Sequence, residues 1–472
     1  MTRHQLNAWL HAPVVTALLA CCPAAAPAEG KLNATAAAPV APDCARDGRR
    51  LQYQPAGALG GKAFLVAWSD GRRQANDPTA DICCARVDAT TGKPLDPAGI
   101  RVCAAGDVQE WPAVASDGAG FLVVWQDLRN GRDYDVYAAR VDPGGKVLDA
   151  DGFLVAGGPG NQARPAVAFA GGRYVVAWMD ARQYPVYGLY GARIDPEGKV
   201  LDAGGVALDI EDPGRIAKAT PPATSWLGDR HYWWERLASR FNPAMASDGK
   251  TCLVTCLRDV HSNRTAGYVL RVDPATGRAI GEPVKLSGEP RAAVAACATP
   301  DGWVVAFDQW MGGWTPSPRL AAVRLTPALE PKDAIPQRIE RGAPEPAFLL
   351  DVQKVLADGE SDYHQGKGHF AFWQAAAAWT GREVLVAMDF GWRKRRTPAE
   401  VHTAIVAARF DCSRGRFDSA PPRVIASAST AAGTSVRRPV LAAGPSGRCL
   451  LIYESDAGID RHTIQARILT CE

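Results

Sequence analysis

An all-β fold made of repeated four-stranded units is predicted by three features of the sequence. The segment GFLVVWQDLRNGRDYDVYAARVDPGGKVLD at 120–149 returns with the same pattern as RYVVAWMDARQYPVYGLYGARIDPEGKVLD at 173–202. Each copy holds apolar runs of about five residues separated by Gly, Asp and Pro turn residues, as in a series of short strands. An arginine in the last long run recurs along the whole chain. Its copies are Arg86, Arg140, Arg193, Arg271, Arg324, Arg409 and Arg467.

These arginines define a repeat of about 53 residues that occurs seven times. Two spacings, of 78 and 85 residues, exceed the repeat and indicate insertions at about 209–241 and 341–372. A fixed period of this length is typical of solenoids and propellers.

Each unit contains three clear apolar runs and a weaker fourth, such as FLVAG at 153–157, which gives four strands. The runs are apolar on both faces, as expected of sheets buried between neighbours. Four-stranded units repeated radially form a β-propeller. The sequence therefore predicts a seven-bladed β-propeller of antiparallel blades with two loop insertions, over residues 47–472.

Closure of this ring needs a strand from the N-terminal side. The chain ends at QARILTCE, soon after the seventh arginine, so the last unit lacks a fourth strand. RRLQYQ at 49–54 could supply it and so remove the exposed sheet edges of an open array. Cys44 and Cys471 would then meet, either as a disulfide that locks the ring or as two free thiols near the chain ends.

Residues 1–28 have the layout of an export signal. Arg3 precedes the apolar stretch APVVTALLA at 12–20, which is too short to span a bilayer. LLAC, ending at Cys21, resembles a bacterial lipobox, whereas APA at 26–28 suits ordinary signal peptidase. We expect a periplasmic, cell-surface or extracellular protein with Cys21 as a candidate lipid anchor, no transmembrane span, and an Ala/Pro-rich linker at 29–46.

The pattern PAVAxDG, FLVVWxDxR and AARVDxxGxxLD resembles the repeat of exported bacterial β-propeller proteins. It covers about residues 45–472, and the second and third units match it best. The resemblance implies the fold but no substrate, because one fold hosts many functions.

Composition and motif searches exclude several function classes. The chain has 53 basic and 50 acidic residues and a net charge of +3, and the basic residues are dispersed, so we expect no nucleic-acid partner. Its 12 cysteines show no CxxC spacing, and GxSxG, HExxH and Walker sequences do not occur. ASDGAGFLVVW departs from the sialidase Asp box because Ser116 and Asp117 are adjacent. No metal or cofactor is predicted, although a structural cation could bind.

Candidate site residues lie on one side of the predicted ring. We call this side the loop face, because it carries the loops between second and third strands, the connections between units and both insertions. Long loops on a rigid scaffold are where binding sites usually occur, and histidines and exposed tryptophans concentrate there. The candidates are His231, Trp233, Trp234, Glu235, Arg236, His261, Trp310, Trp314, Asp362, His364, His369, Trp392 and His402.

These features favour a monomeric, non-catalytic module that binds a protein or glycan through the loop face. The alternative is a glycoside-active or metal-dependent hydrolase with its site over the central channel, which would need two carboxylates and a histidine from different blades to converge. WxDxR occurs three times, at Trp68, Trp125 and Trp178. Since a catalytic residue is needed once, this motif and the repeated arginine are interpreted as structural.

Overall fold

The computed structural model describes residues 31–44, 50–74, 77–183, 186–210, 243–261, 264–286, 294–310, 318–333, 349–351, 374–393, 401–418, 422–429, 433–458 and 461–471. Every regular element in these ranges is a β-strand, and none of them contains a helix that could cross a membrane. The prediction of an all-β protein is confirmed.

The strands form antiparallel sets in chain order, which we call blades and whose strands we call a to d from first to last. Blades 1 to 3 contain β3 (Arg50–Gly60), β4 (Ala63–Gln74), β5 (Asp77–Asp88), β6 (Ile100–Cys103); β7 (Gln109–Ser116), β8 (Phe121–Asp127), β9 (Asp135–Val141), β10 (Phe153–Ala156); and β11 (Gln162–Ala170), β12 (Arg173–Gln183), β13 (Val186–Ile194), β14 (Val206–Ile210). Blades 4 and 5 contain β15 (Ala244–Ser247), β16 (Cys252–His261), β17 (Arg264–Val272), β18 (Ala279–Lys285); and β19 (Val294–Thr299), β20 (Gly302–Trp310), β21 (Pro318–Leu325), β22 (Leu349–Asp351).

Blades 6 and 7 are less regular at their outer edges. Blade 6 contains β23 (Ala375–Trp379), β24 (Val384–Arg393), β25 (Val401–Asp411) and β27 (Arg423–Ser429), with the two-residue β26 (Arg416–Phe417) beside the end of β25. Blade 7 contains β28 (Thr434–Ala443), β29 (Arg448–Ala457) and β30 (Arg461–Cys471) from the C-terminal part of the chain, together with β1 (Leu32–Ala34) and β2 (Ala38–Pro39).

The blades are arranged in a closed circle. Strand a of each blade contacts strand a of the next, and β28 contacts β3. Apolar clusters fill the space between neighbours: one joins blades 2 and 3, and another joins blades 7 and 1. Strand b lies in the middle of this packing, and all seven residues of β8 are buried. Radial packing of this kind defines a β-propeller.

The N-terminal segment closes the circle, but not through the residues that the sequence indicated. Leu32 of β1 lies opposite Cys471, and Ala38 of β2 lies opposite Ala466, so this segment forms the outer edge of blade 7. Leu32 packs on an apolar cluster there, which explains why an Ala/Pro-rich segment is held against the sheet. The interpretation of 29–46 as a linker alone was therefore wrong.

The assignment of 49–54 as the closing strand was also wrong. Arg50–Gly60 is strand a of blade 1 and pairs with β4. Toward β30 it makes a short parallel pairing of Arg50 and Leu51 with Arg461 and His462, and Gln52 Oε1 accepts the Ile464 N–H at 2.9 Å. β3 continues through Pro55 across a bulge between Tyr53 and Ala56.

The insertions begin and end on the loop face. β14 ends at Ile210, opposite Gly188, and β15 starts at Ala244, at the loop-face end of blade 4. The described part of the second insertion includes β22, whose Asp351 lies opposite Arg319. The other inserted residues, and the predicted packing of the two insertions together, lie outside the described ranges.

Candidate functional site at the channel mouth

A cavity of about 270 Å³ runs along the axis of the ring. Strand a of every blade, or the residue before it, contributes to its wall. The wall is formed by small apolar residues such as Ala56, Ala113, Ala166 and Ala375, whereas larger polar and aromatic side chains stand at the loop-face end. The loop face therefore opens onto a channel lined by small and aliphatic side chains, through a mouth that carries larger polar and aromatic ones.

The mouth is built by the same bulge in four blades. Just before a proline the register of strand a shifts, and the residue at the shift adopts a positive φ. These residues are Gln54 (φ 55°), Trp111 (56°), Arg164 (56°) and Arg438 (54°). Left-handed backbone is unfavourable for most residues other than glycine and asparagine, and the position before proline normally prefers extended backbone.

A side chain of a neighbouring blade accepts the backbone N–H of each of these strained residues. The Gln54 N–H donates to Glu454 Oε1 of blade 7 at 2.6 Å, and the Trp111 N–H donates to Gln54 Oε1 of blade 1 at 2.8 Å. The Arg164 N–H donates to Gln126 Oε1 of blade 2 at 2.9 Å. These bonds supply the partner that each bulged amide loses from its own ladder, so the surrounding blades stabilise the unusual backbone.

The fourth bulge follows the same rule with a carboxylate. Asp389 of blade 6 accepts the Arg438 N–H at 2.7 Å, and its other oxygen accepts the Gln374 N–H at 2.8 Å. The Asp389 side chain is therefore occupied in positioning strand a of both blade 6 and blade 7.

The side chains from three blades meet at the mouth. The guanidinium carbon of Arg164 lies 3.2 Å from the centre of the Trp111 ring, and that of Arg438 lies 4.9 Å from it. Trp111 belongs to blade 2 and Arg438 to blade 7, so the indole reaches across blade 1. Each cation–π contact stabilises by about 0.5–2 kcal/mol, which gives a large aromatic side chain a fixed position.

Carboxylates at the mouth are paired with arginines. Glu454 is fully buried and accepts from Arg437 and Arg438, each at 2.8 Å. Asp456 accepts from Arg437, Ser435 and His462. Burial pushes the pKa of Asp456 upward, but the His462 and Ser435 hydrogen bonds, together with the charge of Arg437, outweigh burial and lower it. Asp456 is therefore ionised at neutral pH.

A second polar group stands beside Arg164. Glu110 Oε1 accepts from the Tyr134 hydroxyl at 2.8 Å and from Gln126 Nε2 at 3.0 Å. Burial, reinforced by the Glu110 carboxylate, raises the pKa of Tyr134, so this phenol remains a hydrogen-bond donor. In this way Gln126 links the Glu110 carboxylate to the Arg164 bulge.

The WxDxR motif is structural, as predicted. In blade 2 the fully buried Trp125 donates to Asp127 Oδ2 at 2.8 Å, and Asp127 also accepts the Arg129 backbone N–H at 2.9 Å. The Arg129 guanidinium binds both Asp127 oxygens and lies 3.9 Å from the ring centre of Tyr137. The ion pair with Arg129 was not foreseen.

Blade 3 repeats this group of four side chains. Trp178 donates to Asp180 at 2.9 Å, and Arg182 pairs with Asp180 and stacks on Tyr190. The tryptophan of each group packs directly against a glycine, Gly152 or Gly205. Glycine is required there because a Cβ would overlap the tryptophan ring.

The repeated arginine of strand c is also structural. Arg140 Nε and Nη2 bind the two Asp149 oxygens at 2.8 Å each, and Arg193 binds Asp202 in the same way. Arg86 and Arg324 add a bond to a carbonyl of a later blade, at Pro143 and Cys412. These arginines tie blades together on the side away from the loop face.

The arginine hydrogen bonds have a clear electrostatic effect. They hold the pKa of Asp149 and the pKa of Asp202 below the usual range of a carboxyl, because hydrogen bonding favours the charged form.

Four of the predicted site residues fall on described strands, all at loop-face strand ends. His261 ends β16 opposite Arg264, Trp310 ends β20 opposite Pro318, and Trp392 of β24 lies opposite His402 of β25. The other candidates lie outside the described ranges: His231, Trp233, Trp234, Glu235, Arg236, Trp314, Asp362, His364 and His369, together with the lipidation candidate Cys21. His402, the one of the four whose side chain is described, does not line the cavity.

The mouth residues are not among the predicted candidates, because a residue before a proline in an apolar run shows no motif of its own. QPAG, WPAV, RPAV and RRPV all carry the signal, which is a constant proline preceded by a changing residue. Among the described residues, no group of three His, Cys, Asp or Glu side chains could hold a metal ion.

The proposed Cys44–Cys471 disulfide is not supported by the structure. No disulfide joins the described cysteines, and these two belong to different apolar clusters. Cys44 lies between blades 7 and 1, whereas Cys471 lies between blades 6 and 7.

No protein-family model and no curated protein matches the chain. Solved structures resemble it in shape. A protein of unknown function from Dyadobacter fermentans is 13% identical over 77% of this chain and 95% of its own, with a TM-score of 0.42. The β-propeller domain of the trilobed protease from Pyrococcus furiosus is 6% identical over 89% and 95%, with a TM-score of 0.41. At these values the likenesses imply nothing about what this protein binds.

Proposed function

We propose that this protein is an exported, monomeric, seven-bladed propeller that acts as a non-catalytic binding module for a protein or glycan. Its ligand site lies at the channel mouth on the loop face, where Trp111, Arg164 and Arg438 meet. The N-terminal strands β1 and β2 complete its last blade.

One observation carries this proposal: four blades keep the same strained bulge but place glutamine, tryptophan or arginine on it. Glycine or asparagine would relieve the backbone at these positions. Glutamine, tryptophan and arginine occur instead, so the side chains have a role that outweighs a backbone cost of about 1–3 kcal/mol each. In repeat proteins, a position that varies on a constant scaffold is where ligand contacts are expected.

The arrangement of charge supports binding over hydrolysis. Glu454, Asp456 and His462 lie close together, but all three belong to blade 7, whereas the hydrolase alternative needed groups from different blades. Two arginines neutralise Glu454, and Asp389 holds two backbone amides. Carboxylates engaged in this way are poorly placed to transfer protons to a substrate.

A screen of the purified protein on glycan and protein arrays tests this function. We expect a set of related ligands whose binding is lost in Arg164→Ala and retained in Arg101→Ala. Arg101 is a matched control because it is 55% exposed and lies on the outer strand of blade 1, away from the mouth. Turnover of a bound glycan, or equal loss in both variants, would contradict the proposal.

A further inference from the structure

Blade 1 departs from the side-chain group that blades 2 and 3 share. Trp125 and Trp178 each donate to an aspartate, but Nε1 of the fully buried Trp68 has no hydrogen-bond partner among the described residues. The equivalent aspartate, Asp70, instead accepts from Cys44 Sγ at 3.4 Å. In blade 1 the aspartate therefore binds the Cys44 thiol, which lies outside the repeat, in place of the tryptophan N–H.

The second departure lies beside the first. Cross-strand from the tryptophan, blades 2 and 3 carry Tyr137 and Tyr190, whereas blade 1 carries Cys83 opposite Trp68. Cys83 and Cys44 belong to the same apolar cluster, and the burial of Cys83 together with the nearby Asp70 and Cys44 raises its pKa. Blade 1 thus has Cys83 in place of the repeated tyrosine, next to the position of Cys44.

The packing around Gly99 is looser than around the equivalent glycines of blades 2 and 3, and Cys44 lies in this space. The glycines of blades 2 and 3 lie so close to their tryptophans that a Cβ would overlap the ring. A Cβ on Gly99 would instead lie 3.3 Å from Cys44 Sγ and 3.4 Å from Trp68. The N-terminal segment is guided to this place by hydrogen bonds from Val40 N to Ile464 O and from Asp43 N to Pro97 O, which cross from blade 7 to blade 1.

We propose that Cys44 and Cys83 form a disulfide that fastens the N-terminal segment to blade 1 and so locks the closed ring. In the cell this rests on the proposed export, because an oxidising compartment must supply a disulfide oxidant. The thiolate of the more accessible Cys44 attacks the oxidant disulfide and displaces one thiol. Cys83 then attacks the mixed disulfide and displaces the second, so the two protons of the cysteines end on the two thiols released.

Oxidation of the purified protein with oxidised glutathione, followed by peptide mapping without reductant, tests the bond. Trypsin releases Cys44 in residues 32–46 and Cys83 together with Cys84 in residues 74–86. We expect these peptides to be cross-linked in the wild type and in Cys84→Ser, and separate in Cys83→Ser and Cys44→Ser. Cys84 is a matched control, because it is adjacent in sequence but faces the opposite cluster.

Thermal unfolding gives a second measurement. The oxidised wild type should unfold about 4 °C above the Cys44→Ser variant, and dithiothreitol should abolish the difference. A wild-type protein in which Cys44 stays alkylatable after oxidation, or bonds to Cys471 or Cys84, would overturn the proposal. If the reduced protein still bound the array ligands, the disulfide proposal alone would fail and the proposed function would stand.

Discussion

Trp125 and Trp111 belong to the same blade but differ in every property that bears on function. Trp125 recurs as Trp68 and Trp178, is fully buried, and donates to an aspartate in a compact group. Trp111 is half-buried at the channel mouth on a strained backbone, and its position is taken by glutamine or arginine in other blades. The comparison teaches that repetition in this protein marks the scaffold, whereas variation on a constant backbone marks the proposed site.

The largest expected effect on stability is seen when each of these tryptophans is replaced separately by alanine. Trp125→Ala should lower the free energy of unfolding by about 4 kcal/mol, because it leaves a cavity and removes a donor from the buried Asp127. Trp111→Ala should cost about 1 kcal/mol, since it removes a half-buried side chain and its contacts with two arginines. Urea unfolding of both variants measures the difference, and equal costs would contradict the division into scaffold and site.

A smaller effect is expected from the aspartate of the repeated group. Asp180→Asn should lower the free energy of unfolding by about 2 kcal/mol, because Arg182 loses its bidentate charged partner while keeping partial access to water. The same variant should bind array ligands as the wild type does. If Asp180→Asn abolished binding in a protein that remains folded, the motif would be more than scaffold.

The smallest stability effect concerns the arginine of strand c. Asp149→Asn should cost about 1 kcal/mol at pH 7, since the ion pair is partly exposed. Because the folded state lowers the Asp149 pKa, this contribution is present above the unfolded pKa of about 4 and is lost as pH falls through the folded pKa. Urea unfolding at pH 7 and pH 3 should therefore show a gap between wild type and variant that shrinks at the lower pH. A gap that is constant with pH would contradict this electrostatic origin.

The fold could be predicted from the sequence because its signal is repeated. Seven arginines, four of whose six spacings are 53–58 residues, and the apolar runs around them all indicate the same four-stranded unit, so one degenerate copy does not hide the pattern. The closing strands β1 and β2 occur once, and their segment is rich in alanine and proline, which have little strand propensity. It is held by its contacts with β30, which no local pattern reveals.

The candidate site was harder to predict for a related physical reason. A proline inside an apolar run normally indicates a strand end. Here the left-handed residue before it lets the strand continue, and the amide is satisfied by another blade, as Gln126 does for Arg164. That hydrogen bond joins residues 38 apart in sequence, so it becomes visible only when the blades are placed side by side.

The most direct test of the account is the affinity of a ligand from the array screen for Trp111→Gly, measured by calorimetry beside its thermal unfolding. Glycine suits the positive φ at this position, so the midpoint of unfolding should stay within about 2 °C of the wild type. The account predicts that affinity falls at least about tenfold, which is about 1.4 kcal/mol of binding free energy. Unchanged affinity in this stable variant would contradict the assignment of the channel mouth as the binding site.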